Sequence, residues 1–447
     1  MKAILRVLAL FLLSLAAVLT PQLPAQDWLY TGTNLGAGKI RLAAADFKPV
    51  ASDPQLPPLK AVFDSTLFSD LSNAGIFDMV SKSLAPQATP GSPQEMVLGQ
   101  WTAAPANASM VAFGAISVAN GRLVVYGWLF DAGSSTSPQV LAQQYNEGAS
   151  EDMARTVAHR FADAIIQRLG GGIDGICETK IYFVSNRTGS KEIWVMDYDG
   201  ANQHAVTHLG TISMSPRISP DNSRVAFSSL GSQGWAIRMF SLDLGRLVSF
   251  PAGTVGQTNL SPAWAPDGSK ISFSSDRSGH PEIWIVDASG ANPRRLTSFA
   301  RDVSPVWNPR TGTQLAWVSG RTDEPQIYVM DQDGANVQRL TDSGYAISPS
   351  WSPNGAMLSF SWNRKYGPGD PGGQDIYVMD IASKKWLQTT HEAGNNDFPS
   401  WSPDGRHIVF QRQIGHRVQL WTMLADGTQE HQLTYVGDNS MPNWSWK

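Results

Sequence analysis

Hydrophobic and polar positions in the C-terminal three-fifths of the chain recur with a period of 43–50 residues. Each unit combines a short aliphatic strand, a turn, a second strand, a polar strand with Leu-Thr, and a Pro-x-Trp-Ser-Pro-Asp-Gly segment. The units start at Ile181, Val225, Ile271, Leu315, Leu358 and Ile408. Four short strands in a unit of this length are typical of one propeller blade, so the pattern predicts six blades.

The register of the repeat predicts how the ring closes. The first unit begins at Ile181 with no Pro-x-Trp strand before it, and the last ends in Pro442-Asn-Trp444 with no strand after it. We therefore expect Pro442 to Trp446 to pair with Ile181 to Ser185, which would leave no open sheet edge. The Asp-Gly and Asn-Gly pairs suit tight turns, and the Trp repeated in each Pro-x-Trp segment suits packing between blades.

Residues 40–172 lack the repeat and predict a separate α/β domain. Ile40 to Phe47 has the pattern of a strand, and Met110 to Phe130 alternates around Asn120-Gly121 as a hairpin does. Apolar residues at helical spacing predict one helix from Leu59 to Leu71 and another from Met153 to Leu169. The fold class is thus an N-terminal α/β domain followed by an all-β six-bladed propeller over residues 173–447. The glycines at 170–172 form the expected hinge.

Residues 1–25 have the pattern of a signal peptide. Lys2 and Arg6 precede the apolar run from Val7 to Leu19, and Ala25 offers a small residue for cleavage. The run is shorter than the ~20 residues that span a bilayer. We therefore expect a mature chain that is exported and does not insert into the membrane. We also expect it to be a monomer. Cys177 is the one cysteine, so we expect no intrachain disulfide and a thiol packed at the domain junction.

These features together resemble the TolB family of periplasmic propeller proteins. The resemblance rests on the leader, the α/β domain with Phe77-Asp-Met-Val and Trp101, the glycine joint, and six blades ending in Pro-x-Trp-Ser at the chain terminus. It implies a non-enzymatic periplasmic protein that binds a Pal-like lipoprotein on the propeller and a TolA-like inner-membrane protein through its N-terminal segment. It also implies a role in outer-membrane integrity and in constriction during cell division. The first blade closure departs from the pattern, because Ile218 replaces Trp and Asn222 replaces Gly.

Motifs for the commonest hydrolytic chemistry are missing from the sequence. Neither a Gly-x-Ser-x-Gly elbow nor a His-Glu-x-x-His pair occurs. The formal net charge of −4 and the lack of a basic cluster argue against a nucleic-acid partner. A propeller lyase or hydrolase acting on glycans remains the alternative function, because related repeats occur in such enzymes.

The loops before the Pro-x-Trp strands are the predicted partner-binding site. If these strands are innermost, the loops open at the mouth of a central channel, and variable polar loops on a rigid scaffold are common binding sites. The expected site residues are Thr258, Asn259, Arg301, Asp302, Tyr345, Asn395, Asn396, Asp397, Asp438 and Asn439. No cofactor is expected, although the carboxylates among them could hold a calcium ion in the channel. The alternative is that these residues are simply solvated turns.

Residues 26–39 form the second predicted site. Trp28, Leu29 and Tyr30 are followed by a Gly-containing stretch, and the segment has no helical period. We expect it to be mobile and, from the TolB resemblance, to join a TolA-like partner as an extended strand. The alternative is that these residues pack on the protein's own first domain or propeller.

Overall fold

The computed structural model describes residues 27–33, 35, 38–50, 52–251, 256–298, 300–367, 369, 372–391 and 394–446. The expected signal peptide at residues 1–25 therefore lies outside the described residues. Within these ranges, no helix is both long enough and apolar enough to cross a membrane.

The N-terminal part of the chain folds into a mixed sheet covered by helices. Its elements are α1 (Asp27–Thr33), β1 (Ile40–Ala44), β2 (Lys48–Pro49), α2 (Leu56–Asn73), β3 (Phe77–Met79), a 3₁₀ turn (Pro93–Glu95), α3 (Leu98–Thr102), β4 (Met110–Ala119), β5 (Arg122–Asp131), β6 (Gln139–Gly148) and α4 (Glu151–Leu169). The strand order is β3-β1-β4-β5-β6, with β2 beside β4. β1 runs parallel to β3 and β4, whereas β4, β5 and β6 are antiparallel.

The predicted hairpin turns at Asn120 and Gly121, as expected. Ala119 pairs with Arg122, and both turn residues have positive φ, 52° and 69°. Two residues with positive φ are the requirement of the tight hairpin turn that Asn-Gly favours. The first strand ends at Ala44 rather than at Phe47. Strand β6 was not predicted, and its residues are mostly solvent-exposed.

Six four-stranded sheets form the propeller. Blade 1 contains β7 (Lys180–Ser185), β8 (Glu192–Asp197), β9 (His204–Ala205) and the last strand of the chain, β30 (Asn439–Trp444), and blade 2 contains β10 (Ser213–Ile218), β11 (Arg224–Gly231), β12 (Gly234–Ser241) and β13 (Arg246–Val248). Blade 3 contains β14 (Asn259–Trp264), β15 (Lys270–Ser275), β16 (Glu282–Asp287) and β17 (Arg294–Arg295), and blade 4 contains β18 (Asp302–Trp307), β19 (Gln314–Ser319), β20 (Gln326–Asp331) and β21 (Gln338–Arg339). Blade 5 contains β22 (Tyr345–Trp351), β23 (Met357–Asn363), β24 (Asp375–Asp380) and β25 (Trp386–Gln388), and blade 6 contains β26 (Asn395–Trp401), β27 (His407–Ile414), β28 (Arg417–Leu424) and β29 (His431–Gln432).

The last strand of the chain completes the first blade, which confirms the predicted closure. β30 is the innermost strand of blade 1 and pairs antiparallel with β7, so that Asn439 faces Ser185 and Trp444 faces Ile181. The indole Nε1 of Trp444 donates a hydrogen bond of 2.8 Å to the Thr179 Oγ1 atom. The two ends of the propeller sequence therefore share one sheet, and the ring has no free inner edge.

The repeated tryptophans pack between neighbouring blades, as predicted. Trp264 ends the inner strand of blade 3 and lies in one apolar cluster with Ala226 and Met239 of blade 2 and with Ile271 and Phe273 of its own blade. Burial of a large ring at each blade interface contributes roughly 2–3 kcal/mol relative to an exposed ring. The tryptophan repeated at this position around the ring thus contributes much of the free energy that holds neighbouring blades together.

The α/β domain docks on the end of the propeller where the inner strands finish. The guanidinium Nη2 of Arg406, in the turn after the inner strand of blade 6, donates to the Gly170 carbonyl oxygen at 3.2 Å. The Tyr198 hydroxyl of blade 1 donates to the Asp70 carboxylate of α2 at 2.6 Å. Cys177 lies buried at this junction, as expected, and its burial raises the pKa of the thiol well above the ordinary value.

The N-terminal segment differs from the expected extended peptide. Residues Asp27–Thr33 form the helix α1, in which the Thr33 hydroxyl donates to the Leu29 carbonyl oxygen at 2.8 Å. Leu29 is fully buried against blades 5 and 6, among residues that include Met357, Trp401 and Phe410. In the free protein the segment is therefore helical rather than extended, and it packs on the protein's own propeller, as the alternative prediction has it, because burial of Leu29 is favourable.

Candidate partner-binding face of the propeller

All six inner strands begin at one end of the propeller, here named the channel mouth. The expected site residues lie at the start of inner strands or directly before them: Thr258 and Asn259 at β14, Arg301 and Asp302 at β18, Tyr345 at β22, Asn395, Asn396 and Asp397 at β26, and Asp438 and Asn439 at β30. The fold thus brings them to the same end. This end is opposite the α/β domain, which docks where the inner strands finish.

Four of the ten residues have buried side chains that bind within their own blades. Asn259, Asp302, Asn396 and Asn439 are at most 1% exposed. Each accepts a hydrogen bond from an arginine of the same blade. The pairs are Arg277 Nη2 with Asn259 at 3.1 Å, Arg321 Nη2 with Asp302 at 3.3 Å, Arg412 Nε with Asn396 at 2.7 Å, and Arg187 Nη2 with Asn439 at 2.8 Å. These side chains are closed to a docked protein in this structure, so they serve the blade rather than a partner.

The arginines in these pairs are held over aromatic rings. The guanidinium carbon of Arg412 lies 4.7 Å from the ring centroid of Trp421, and that of Arg187 lies 4.5 Å from the ring centroid of Trp194. A cation over an indole ring contributes about 0.5–2 kcal/mol. The stacked arginine therefore joins the inner strand to the third strand of each such blade, a role that sequence reasoning missed.

The other six predicted residues reach solvent at the channel mouth. Arg301 and Asn395 are exposed, whereas Thr258, Tyr345, Asp397 and Asp438 are half-buried. Some also order their own loops: Asp438 accepts from the Asn186 Nδ2 atom at 3.0 Å, and Asn395 accepts from the backbone N–H of Gln374 at 2.9 Å. The side chain of Arg301 has no hydrogen bond or ion pair with any described residue. The partner-binding hypothesis therefore rests on these six positions.

Asp397 has an unusual electrostatic environment. Burial raises the pKa of its carboxyl to about 6, although hydrogen bonds from Ser348, from the Phe398 backbone and from Ser361 oppose the shift. The pKa of Tyr345 is also raised, mainly by burial and further by the nearby charge of Asp397. The charge of this part of the mouth therefore changes at mildly acidic pH.

Four exposed apolar or aromatic side chains, which sequence reasoning missed, lie beside the predicted and half-buried Tyr345. We name Tyr345, Tyr366, Ile414, Tyr435 and Val436 the mouth strip. Exposed fractions are 42% for Tyr366, 60% for Ile414, 68% for Tyr435 and 64% for Val436. The rings of Tyr345 and Tyr366 lie 5.3 Å apart between centroids. The strip follows the mouth from blade 5 across blade 6 to the loop that enters blade 1. Exposed aromatic and aliphatic groups gathered at one end are typical of a protein interface.

The central channel opens among the inner strands and contains about 1070 Å³ of space, open solvent included. Prolines, tryptophans and serines of the inner strands form most of its wall, and Arg217 is the one charged side chain among the described residues that line it. The carboxylates that could hold a calcium ion, Asp302, Asp397 and Asp438, are not among the described residues that line this cavity. The described lining of this cavity therefore offers no carboxylate ligand to a calcium ion.

The alternative of a glycan-cleaving enzyme also needs a particular geometry. Most glycoside hydrolases use two carboxyl groups that flank the scissile bond. The described residues of the channel wall include neither Asp nor Glu. The described lining of this cavity therefore lacks the carboxyl pair that a glycoside hydrolase uses.

Comparisons with known proteins agree with the fold. The model of the TolB beta propeller domain family matches residues 167–367 and 342–447. The Tol-Pal system protein TolB of Dinoroseobacter shibae is 34% identical over 237 residues, 51% of this chain and 51% of that protein. The protein TolB homolog of Chlorobium chlorochromatii is 33% identical over 199 residues, 44% of this chain and 43% of that protein. The chain thus spans about half the length of the curated relatives it matches.

A solved structure extends the likeness of the fold beyond the propeller. The crystal structure of TolB from Acinetobacter baumannii superposes with a TM-score of 0.76 and 24% sequence identity, covering 91% of this chain and 96% of that one. This match includes the α/β domain as well as the ring. The family model matches residues 167–447, and the structural likeness agrees with that match. The chain therefore belongs to the TolB family.

Proposed function

We propose that this protein is a non-enzymatic, protein-binding component of a Tol-Pal system in the periplasm. It would bridge a TolA-like inner-membrane protein and a Pal-like peptidoglycan-associated lipoprotein. The bridge would support outer-membrane integrity and constriction during cell division. The single observation that supports this proposal best is the apolar mouth strip at the open end of a TolB-family propeller.

The channel mouth is the proposed docking surface for the Pal-like lipoprotein. Two of its most exposed side chains, Ile414 and Tyr435, are apolar or aromatic, and Arg301 stands exposed on the same end. Tyr and Arg are enriched among the few residues that carry most of the binding energy of an interface. The α/β domain occupies the opposite end, so a globular partner can approach the mouth without displacing it.

The N-terminal helix α1 is the proposed recruiting element for the TolA-like protein. Leu29 is fully buried on blades 5 and 6, while Trp28 and Tyr30 are half-buried. A partner that takes up this segment as a strand must first release Leu29 from the propeller. Binding of the TolA-like protein would therefore compete with packing of the helix, which has only seven residues.

Chemical cross-linking in the source envelope, followed by purification of the tagged full-length chain, tests the proposal. We expect a Pal-like lipoprotein and a TolA-like protein among the cross-linked products, with the lipoprotein linked through residues of the channel mouth. His416→Lys, in the exposed turn next to Ile414, gives the cross-linker a defined position at the mouth, and Leu244→Lys, at the opposite end, is the matched control. Products that lack both proteins, or that form equally from both lysines, would contradict the proposal.

A further inference from the structure

Arg217 extends from the inner strand of blade 2 into the wall of the central channel. Its guanidinium makes one hydrogen bond with a described residue, to the carbonyl oxygen of the preceding Pro216 at 2.9 Å. Its backbone carbonyl accepts the Trp264 indole N–H at 3.1 Å, which fixes the strand against blade 3. The residue is therefore held by its backbone, while most donors of its side chain stay unused within the described part of the chain.

The equivalent position in the other blades carries no charge. Following the proline of each inner strand, the other five residues are Ala263, Val306, Ser350, Ser400 and Asn443. No acidic side chain lies in the described channel wall, so the positive charge of Arg217 has no counter-ion there. This differs from the arginines of the blades, such as Arg321, which forms an ion pair of 3.3 Å with Asp302.

An unpaired charge among apolar groups is unfavourable unless a ligand supplies its partner. Burial lowers the pKa of Arg217 to about 10, and no acidic neighbour opposes that shift. The side chain nevertheless remains protonated at neutral pH. A guanidinium with free donors, in a channel that is open to solvent, is suited to bind an oxyanion in a bidentate manner.

The channel wall favours a singly charged carboxylate over a phosphate. One guanidinium neutralises one negative charge, and a phosphate group with a charge near −2 would keep part of its charge in an apolar wall. The hydroxyl groups of Ser261 and Ser304 line the same channel and can donate to an anion. The prolines and tryptophans around them suit an apolar stem attached to the carboxylate.

We propose that the central channel binds one carboxylate group, which pairs with the guanidinium of Arg217 while its apolar stem contacts the proline and tryptophan wall. The carboxylate could belong to a free small acid or to an acidic side chain of a docked protein. The recognition chemistry is the same in both cases. The site itself does not depend on the proposed Tol-Pal role. Only a carboxylate from a docked protein would connect the site with that role.

Calorimetric titration of the mature chain with sodium hexanoate tests the site, with hexanamide as the neutral control. We expect saturable binding of hexanoate and at least tenfold weaker binding of hexanamide. Arg217→Gln should weaken hexanoate binding at least tenfold, whereas Arg238→Gln, an exposed arginine of the same blade, should not change it. Equal binding of hexanoate and hexanamide, or unchanged hexanoate binding by Arg217→Gln, would overturn the proposal.

Thermal melting separates the loss of the site from a loss of the fold. Because Arg217→Gln removes an uncompensated charge, its melting temperature should equal or exceed that of the wild type. If the Gln variant does not fold, Arg217→Lys keeps the charge but loses the forked donor arrangement, and it should bind hexanoate more weakly while still rejecting hexanamide. A Lys variant that binds both compounds equally would overturn the proposal as well.

Two short peptides distinguish the sources of the carboxylate. Acetyl-Gly-Gly-Glu-Gly-Gly-amide carries an internal carboxylate, and its Gln counterpart does not. Tighter binding of the Glu peptide than of hexanoate would support a carboxylate presented by a protein. Binding of hexanoate alone would support a free small acid, and binding of neither compound would contradict the site.

Discussion

The Nε2 atom of His407 donates a hydrogen bond of 2.7 Å to the carbonyl oxygen of Asn73. Asn73 is the last residue of α2, and His407 starts the second strand of blade 6. The Nδ1 atom of the same ring lies 3.1 Å from the Asp404 carboxylate. A histidine at a helix C-terminus is favoured in its protonated form, so one imidazole links the two domains electrostatically.

The stability of this junction should depend on pH. Burial lowers the pKa of His407, but the charge and hydrogen bond of Asp404 and the Asn73 carbonyl outweigh it, and the net shift is upward. The pKa of Asp404 is lowered: burial raises it, but the charge and hydrogen bond of His407 outweigh that effect. The stabilisation from His407 is complete below about pH 6.5 and is lost as the pH rises through the higher pKa of the folded state. The stabilisation from Asp404 is complete above about pH 4 and is lost as the pH falls through the lower pKa of the folded state. The pair should therefore stabilise the junction most between these values.

Melting temperatures from pH 5 to pH 9 measure this effect. We expect His407→Gln to melt below the wild type near pH 5.5 and to approach it near pH 8.5, because the variant lacks the titrating group. His416→Gln, which changes an exposed histidine of the same blade, is the control and should follow the wild type. A constant difference between His407→Gln and the wild type across this range would contradict a protonated His407.

Two neighbouring asparagines at the channel mouth should behave differently. Asn396 is fully buried and joins Arg412 to the Asp375 carboxylate, at 2.7 and 3.0 Å, whereas Asn395 is exposed. Asn396→Ala leaves buried polar groups without partners and should lower the free energy of unfolding by about 1–3 kcal/mol. Asn395→Ala should lower it by less than about 1 kcal/mol, since a solvent-exposed group can bind water instead. Chemical denaturation measures both, and equal losses would contradict the assigned roles.

The sequence predicted the ring better than it predicted the site. Six copies of one pattern specify six similar sheets, and the missing inner strand before Ile181 can be supplied only by a strand such as Pro442–Trp446. A polar residue beside a turn has no such redundancy. Asn395 and Asn396 are identical in type and adjacent, yet one faces solvent and the other lies under a stacked arginine. That difference depends on the register of the strand against β27, which the sequence pattern does not specify.

Isolated apolar residues were equally hard to interpret from the sequence. Ile414 ends strand β27 and Tyr435 stands in the loop before β30, with no period that connects them. Only the fold brings both to the channel mouth. The seven-residue helix α1 was missed for a related reason, because a segment of this length forms a helix through its packing on the propeller rather than through its own propensity.

Loss of the closing strand's tryptophan should open the ring. Trp444 is 4% exposed and bonds to Thr179, whereas Trp386 is 40% exposed at the outer strand of blade 5. Trp444→Ala should lower the free energy of unfolding by about 3–5 kcal/mol, because it leaves a cavity at the blade 1 closure. Trp386→Ala is the matched control, with an expected loss clearly below that of Trp444→Ala. Denaturation curves test the difference, and a loss below about 1 kcal/mol for Trp444→Ala would show that the closure does not depend on this ring.

Weakening the contact of Leu29 should release the N-terminal helix. Leu29→Ala removes a fully buried side chain and should reduce the free energy that holds α1 by about 2 kcal/mol or more. Limited proteolysis should then cleave near residues 27–38 several times faster, while the melting temperature of the propeller changes little. If release precedes binding, the affinity for the TolA-like protein should rise. Faster cleavage combined with weaker binding would indicate that the docked helix, rather than a released segment, is what the partner recognises.

The affinity of this protein for a purified Pal-like lipoprotein from the same source tests most directly the central claim that the lipoprotein docks at the channel mouth. The variant Ile414→Ala/Tyr435→Ala removes two exposed side chains of the mouth strip, and Leu244→Ala/Val337→Ala removes two exposed apolar side chains from the opposite end of the propeller. Since interface hot spots contribute more than about 1 kcal/mol each, we expect the mouth variant to bind at least tenfold more weakly and the control to bind like the wild type. Unchanged affinity of a correctly folded mouth variant, or weaker binding by the control alone, would contradict the account.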